Sequence, residues 1–121
     1  MSCISNGAVY SQRPLVTADL AAIDQILTGR ADRLVRTRKG RVWTLVRDDV
    51  SLDLRVERLD DVLGACEDEL GAIGWISTAG ASRVFISAGR CGDREDDEIA
   101  HLAAQIAAAV DGRFVGPRRS H

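Results

Sequence analysis

The stretch Val50-Ser51-Leu52-Asp53-Leu54-Arg55-Val56-Glu57 sets Val50, Leu52, Leu54 and Val56 against Ser51, Asp53, Arg55 and Glu57. Successive side chains of a strand point to opposite faces, so this period of two describes a strand with one face on a core and the other in water. Upstream, Asp48-Asp49 marks a turn, and residues 41–47 carry Val42, Thr44 and Val46 on one side with Trp43 and Leu45 on the other. Apolar residues on both faces place that strand inside a sheet. Arg38-Lys39-Gly40 reads as the tip of a hairpin whose first strand is residues 33–38. Three consecutive strands make a meander.

Helical patterns flank the meander. Before it, Thr17 is a plausible N-cap for a helix over residues 18–28, with Leu20, Ile23 and Leu27 on one face and Gly29 as the stop. After it, Leu59, Val62, Leu63, Cys66 and Leu70 form the stripe of an amphipathic helix closed by Gly71. Residues 71–82 read as a loop with room for a short strand at 75–77, residues 83–88 as a strand, and residues 89–92 as a turn. A last helix over residues 94–110 turns Ile99, Leu102, Ala103, Ile106 and Val110 inward and stops at Asp111-Gly112, with a short strand after it at 113–115. The expected architecture is an α+β single-domain sandwich: the antiparallel meander plus one or two more strands, with three helices packed on the sheet. Residues 1–16 are expected to be an irregular lead-in, at most a short edge strand near Ala8–Tyr10. Residues 17–116 form the domain and residues 117–121 a frayed basic tail.

The 121 residues are 45% hydrophobic and 28% charged, ordinary globular values that exclude disordered and fibrous classes. The length suits one domain. The start of the chain lacks a basic, then apolar, leader, and no stretch has the apolar length of a membrane helix, so neither export nor a membrane partner is expected. Cysteines at 3, 66 and 91 are odd in number and widely spaced. Neither a disulfide framework nor a zinc site is expected, which favours a reducing cytoplasm.

Sixteen basic residues against 18 acidic give a net charge of −2, far from the basic footprint of a dedicated nucleic-acid binder. The charge is unevenly spread. Arg30, Arg33, Arg36, Arg38, Lys39 and Arg41 face only Asp32 in the hairpin region, whereas Asp60, Asp61, Glu67, Asp68 and Glu69 crowd the second helix and Asp93, Glu95, Asp96, Asp97 and Glu98 open the last. Patches of one sign steer charged partners.

Constellations with a specific chemistry are weak. The Gly89-Arg90-Cys91-Gly92 turn joins a strand to a helix, where phosphates bind backbone N–H groups, but it matches neither GxGxxG nor GxxxxGK[ST] and the acidic run after it repels a nucleotide. That run also lacks the oxygen spacing of a calcium loop and better serves the helix dipole. Cys91, beside Arg90 and before a helix, has the setting of a low-pKa thiol. Its candidate bases are His101 and the terminal His121; His101 lies about 10 Å or more along the helix at 1.5 Å per residue, on a face with Asp97 as its expected ion partner. Ser77, Thr78, Ser82 and Ser87 sit in no GxSxG or SxxK setting. The basic hairpin could meet phosphates and Trp43 could stack on a base, but such a hairpin more often protects a sheet edge with its charges. No catalytic, cofactor or metal residue is assigned.

Residues 83–114, with the strand Arg83–Ala88, Cys91 in a turn, the helix segment Ile99–Ala107 bearing His101, and Asp111-Gly112-Arg113-Phe114, resemble small bacterial proteins similar to the immunity proteins of toxin systems. The resemblance implies a cytoplasmic, non-catalytic protein, complementary in charge to a toxin. The sequence expectation is thus a protein-binding domain that neutralises a bacterial toxin through its two acidic segments. The alternatives are a small redox or enzyme domain built on Cys91 and a nucleic-acid accessory domain using the hairpin.

Overall fold

The computed structural model describes residues 3–62, 70–71, 74 and 80–120. Strand β1 (Ile4–Ser11) precedes helix α1 (Thr17–Arg30), the meander β2 (Arg33–Thr37), β3 (Val42–Arg47) and β4 (Val50–Arg58), and the short helix α2 (Leu59–Val62). Strand β5 (Ser82–Ala88), helix α3 (Asp93–Val110) and strand β6 (Arg113–Ser120) complete the fold. The six strands form one antiparallel sheet in the order β2-β3-β4-β5-β1-β6. The α+β single-domain architecture expected from the alternation at residues 50–57 is the observed one.

Register explains which residues share a face. Leu34, Leu45, Leu52 and Ala88 align across four strands, as do Arg36, Trp43, Leu54 and Ile86. These rows lie beneath α1 and α3, where Ile23, Leu27, Ile99, Leu102, Ile106 and Val110 complete the main core. Trp43 is fully buried there, and its indole Nε1 donates to Asp24 at 3.1 Å. On the opposite face a smaller cluster joins Ala8 and Tyr10 of β1 to Leu59, Leu70 and Ala81. At the hairpin end that face presents Val35, Thr44 and Asp53 as one row and Thr37, Val42 and Arg55 as another.

Several boundaries differ from the sequence expectation. Residues 4–11 are not an irregular lead-in or an edge: β1 lies between β5 and β6. Its sequence hides this because small residues fit it beneath α3. A Cβ on Gly7 would stand 2.8 Å from Ile99 Cγ2. The tail up to Ser120 is likewise a strand, paired with β1 rather than frayed, so the sheet adds three strands to the meander instead of one or two. Helix α1 begins at Thr17, with Val16 as the capping position: its N–H donates to Asp19 Oδ2 at 2.9 Å, and Thr17 is helical. Of the second amphipathic stripe, Leu59 and Leu70 are buried and Val62 is half-buried, while Leu63, Cys66 and the short strand at 75–77 lie outside the described residues.

Candidate functional site

The first turns of α3 carry the acidic segment that the sequence singles out, and arginines meet most of it. Glu98 is buried and accepts from Arg30 Nε at 2.7 Å and Nη2 at 3.0 Å, with Arg47 Nε at 3.7 Å. Glu95 is buried and held by Arg90 at 3.0 Å. Asp96 accepts from Ser5 Oγ at 2.6 Å and Arg119 Nε at 3.0 Å, and Arg119 also reaches Asp93. Arg94 pairs instead with Asp48 and Asp49 of the β3–β4 turn. Among the described residues, Asp97 alone of the five stands exposed without an arginine. Inward-facing carboxylates of this kind fix the helix to its neighbours, and their alternation with apolar residues is invisible in a simple charge count.

The other acidic segment lies elsewhere. Asp60 and Asp61 are exposed on α2 and have no arginine partner among the described residues; Glu67, Asp68 and Glu69 lie outside those residues. Helix α2 starts at the Ser82 end of β5, where Leu59 N–H donates to Ala81 O at 3.0 Å, and α3 starts beyond the Ala88 end. Seven residues of strand separate them by about 20 Å at 3.4 Å per residue. Leu59 packs on the smaller cluster and α3 on the main core, so Asp60 and Asp61 sit on a helix at the opposite face of the sheet from the α3 carboxylates.

The hairpin separates its cations into two kinds. Arg36 clasps Asp24 through Nε and Nη2 and donates to Thr28 Oγ1 at 3.0 Å. This clasp, with lesser help from Trp43, holds the Asp24 carboxyl below the usual carboxylate range. Lys39, in the left-handed region at φ 56°, and Arg41 are exposed, with no ion pair among the described residues. Trp43 is no stacking platform, because it fills the core. Arg55 and Arg58, two cations within an acidic stretch, are exposed and without an ion pair among the described residues. Their signal lay in register: Arg55 is paired with Val42, next to Arg41, and Arg41 O accepts from Val56 N at 2.9 Å.

Cys91 is bonded to Cys3, with Cα atoms 5.4 Å apart across 88 residues of sequence. The expectations of an unpaired, low-pKa thiol and of no disulfide are therefore corrected. Antiparallel pairing of β1 with β5 brings Asn6 opposite Ser87, and continuing that register carries Cys3 to the turn at Cys91. The cysteine argument for a reducing cytoplasm falls with it. No family model, curated protein or solved structure matches this chain.

His101 and Ser82, of the remaining candidates, have structural partners. His101 is exposed and meets Gln105 Nε2 at 3.1 Å, not Asp97. Ser82 Oγ accepts from Leu15 N–H at 3.2 Å; Ser77 and Thr78 lie outside the described residues. Among the described residues no three metal-ligating side chains cluster, and no helix is long and apolar enough to cross a membrane.

Proposed function

We propose that this chain is a protein-binding domain that neutralises a bacterial toxin, with contact made through the carboxylates of α2. The observation that carries this reading is the exposure of Asp60 and Asp61 without an arginine partner among the described residues, in a molecule whose other acidic segment is largely neutralised. Uncompensated exposed charge contributes little to folding, whereas it raises encounter rates with an oppositely charged surface by roughly ten- to a thousand-fold. The partner class follows from the resemblance of residues 83–114 to immunity proteins. The Cys3–Cys91 bond favours a meeting place where disulfides persist, outside the reducing cytoplasm.

The test asks first whether a toxin reading frame adjoins the gene. Co-expression with that toxin protects cells, and Asp60→Lys/Asp61→Lys keeps its melting temperature while losing protection and association rate at low salt. A gene without a toxin neighbour, or a charge-reversed chain that protects as well as the wild type, overturns the reading.

A further inference from the structure

Sorting the described arginines by partner leaves few with none. Arg13, Arg30, Arg36, Arg47, Arg83, Arg90, Arg94 and Arg119 each pair with a carboxylate. Arg41, Arg55 and Arg58 have no such partner among the described residues; Arg41 borders both of two adjoining cavities at one end of the sheet, Arg55 one of them and Arg58 the other. One, of about 620 Å³, is lined by Thr37, Arg41, Val42, Arg55 and Val56. The other, of about 380 Å³, shares Arg41 and Val56 and adds Arg58, with Leu15, Ala81 and Glu57 on its walls. Glu57 does not neutralise them, since Arg83 Nη2 already holds both its oxygens at 3.1 and 3.3 Å. Asp53, on the same face, accepts from Thr44 Oγ1 at 2.9 Å, and neither Asp60 nor Asp61 lines either cavity.

We propose that this cleft is a docking site for an acidic, partly apolar peptide segment of a partner protein, whose carboxylates meet Arg41, Arg55 and Arg58. Guanidinium groups take carboxylates in pairs of parallel hydrogen bonds, so Arg55 in one cavity, Arg58 in the next and Arg41 bordering both favour a segment with several acidic side chains. The valines and Leu15 give apolar ground between the charges, and the volumes fall in the range of about 300–1,000 Å³ typical of ligand sites. Nucleic acid fits less well. Base stacking needs an exposed aromatic ring, and of the described aromatics Trp43 and Tyr10 are buried, Phe85 lies under the Arg83 guanidinium, and Phe114 belongs to the opposite edge strand.

This site is independent of the toxin reading, because it is read out by a peptide rather than by protection. The probe is a fluorescein-labelled peptide of alternating glutamate and leucine, followed by anisotropy at low salt, with a single-stranded oligonucleotide and inorganic phosphate as competitors. Wild-type protein binds the peptide, and Arg55→Glu or the pair Arg41→Ala/Arg58→Ala weakens it at least tenfold. Arg33→Ala, an exposed cation at the other end of β2, leaves binding within twofold, and each variant keeps the wild-type melting temperature. Absence of peptide binding, an equal loss from Arg33→Ala, or displacement of the peptide by the oligonucleotide or phosphate at lower concentrations than unlabelled peptide overturns the proposal. Should Arg55→Glu fail to fold, Arg55→Gln supplies the same comparison.

Discussion

Arg30, the last residue of α1, donates from Nε and Nη2 to the buried carboxylate of Glu98 on α3, at 2.7 and 3.0 Å. Arg47 of β3 approaches the same carboxylate at 3.7 Å and donates to Arg30 O at 2.9 Å. Three elements distant in sequence therefore meet on one acidic side chain. Removing that carboxylate leaves two partly buried guanidinium groups facing each other.

Glu98→Ala is expected to lower unfolding free energy by about 3 kcal/mol, the low end for breaking a buried pair, because Arg30 keeps some access to water. Glu98→Gln, which retains an acceptor, should lose less. Urea denaturation measures both, and a double-mutant cycle with Arg30→Ala separates the pair from each residue's other contacts. Equal stability of wild type and Glu98→Ala would show that the exposed ends of the arginines carry the interaction.

The Cys3–Cys91 bond closes a loop spanning 88 residues of separation and ties the start of β1 to the β5–α3 turn. A chain-entropy account of such a loop gives about 4–5 kcal/mol from restriction of the unfolded chain. Cys3→Ser/Cys91→Ser should lose stability on that scale, and reduction of the wild type should bring it to the same urea midpoint. Thiol titration in denaturant without reductant should find one reactive group among the three cysteines. Three reactive groups would show that the bond does not form.

Close approach of backbone sets a third expectation. A Cβ at Gly112 would lie 2.7 Å from Tyr10 O and 3.0 Å from Val9 Cγ1, and a carbonyl inside a sheet cannot move aside as a side-chain tip can. Gly112→Ala should cost about 1–3 kcal/mol through overpacking. Gly89→Ala, with no atom within 4 Å of the added carbon, is its control. Thermal melts of the two variants make the comparison.

The alternation at residues 50–57 and the two-sided pattern of β3 were legible because each strand reports its own burial, one residue at a time. Strand β1 was not, since Gly7 and Ala8 carry little hydrophobicity and its place depends on β5 and β6, far along the chain. The disulfide was hidden for the same reason: only the β1–β5 register brings Cys3 to Cys91. Charge runs misled in a different way. Glu95 and Glu98 look like surface acids in sequence, yet helical spacing turns both inward, Glu98 toward Arg30 of α1 and Glu95 toward Arg90 of the preceding turn. Arg41 and Arg55 come together only through the β3–β4 pairing.

The acid limb of stability should trace to Asp19 and Asp24. Arg13 donates to both Asp19 oxygens at 2.6 and 2.8 Å, and this pairing, reinforced by the Val16 N–H, holds the Asp19 carboxyl below its ordinary value near 3.8. The clasp of Arg36 does the same for Asp24. A carboxyl with a lowered pKa in the folded state binds fewer protons there than when unfolded, so its contribution is fully present above the ordinary value and is lost as pH falls through the lowered one. Urea midpoints should therefore be level down to about pH 5 and fall steeply below about pH 4, the ordinary carboxylate range. Asp19→Asn should start from a lower midpoint at neutral pH, because it weakens the pairing with Arg13, and should fall less steeply in acid. Asp19→Asn/Asp24→Asn should flatten the limb further, since the sites sit on different turns of α1 with separate arginines. A double variant with the wild-type acid slope would assign the limb to other carboxylates.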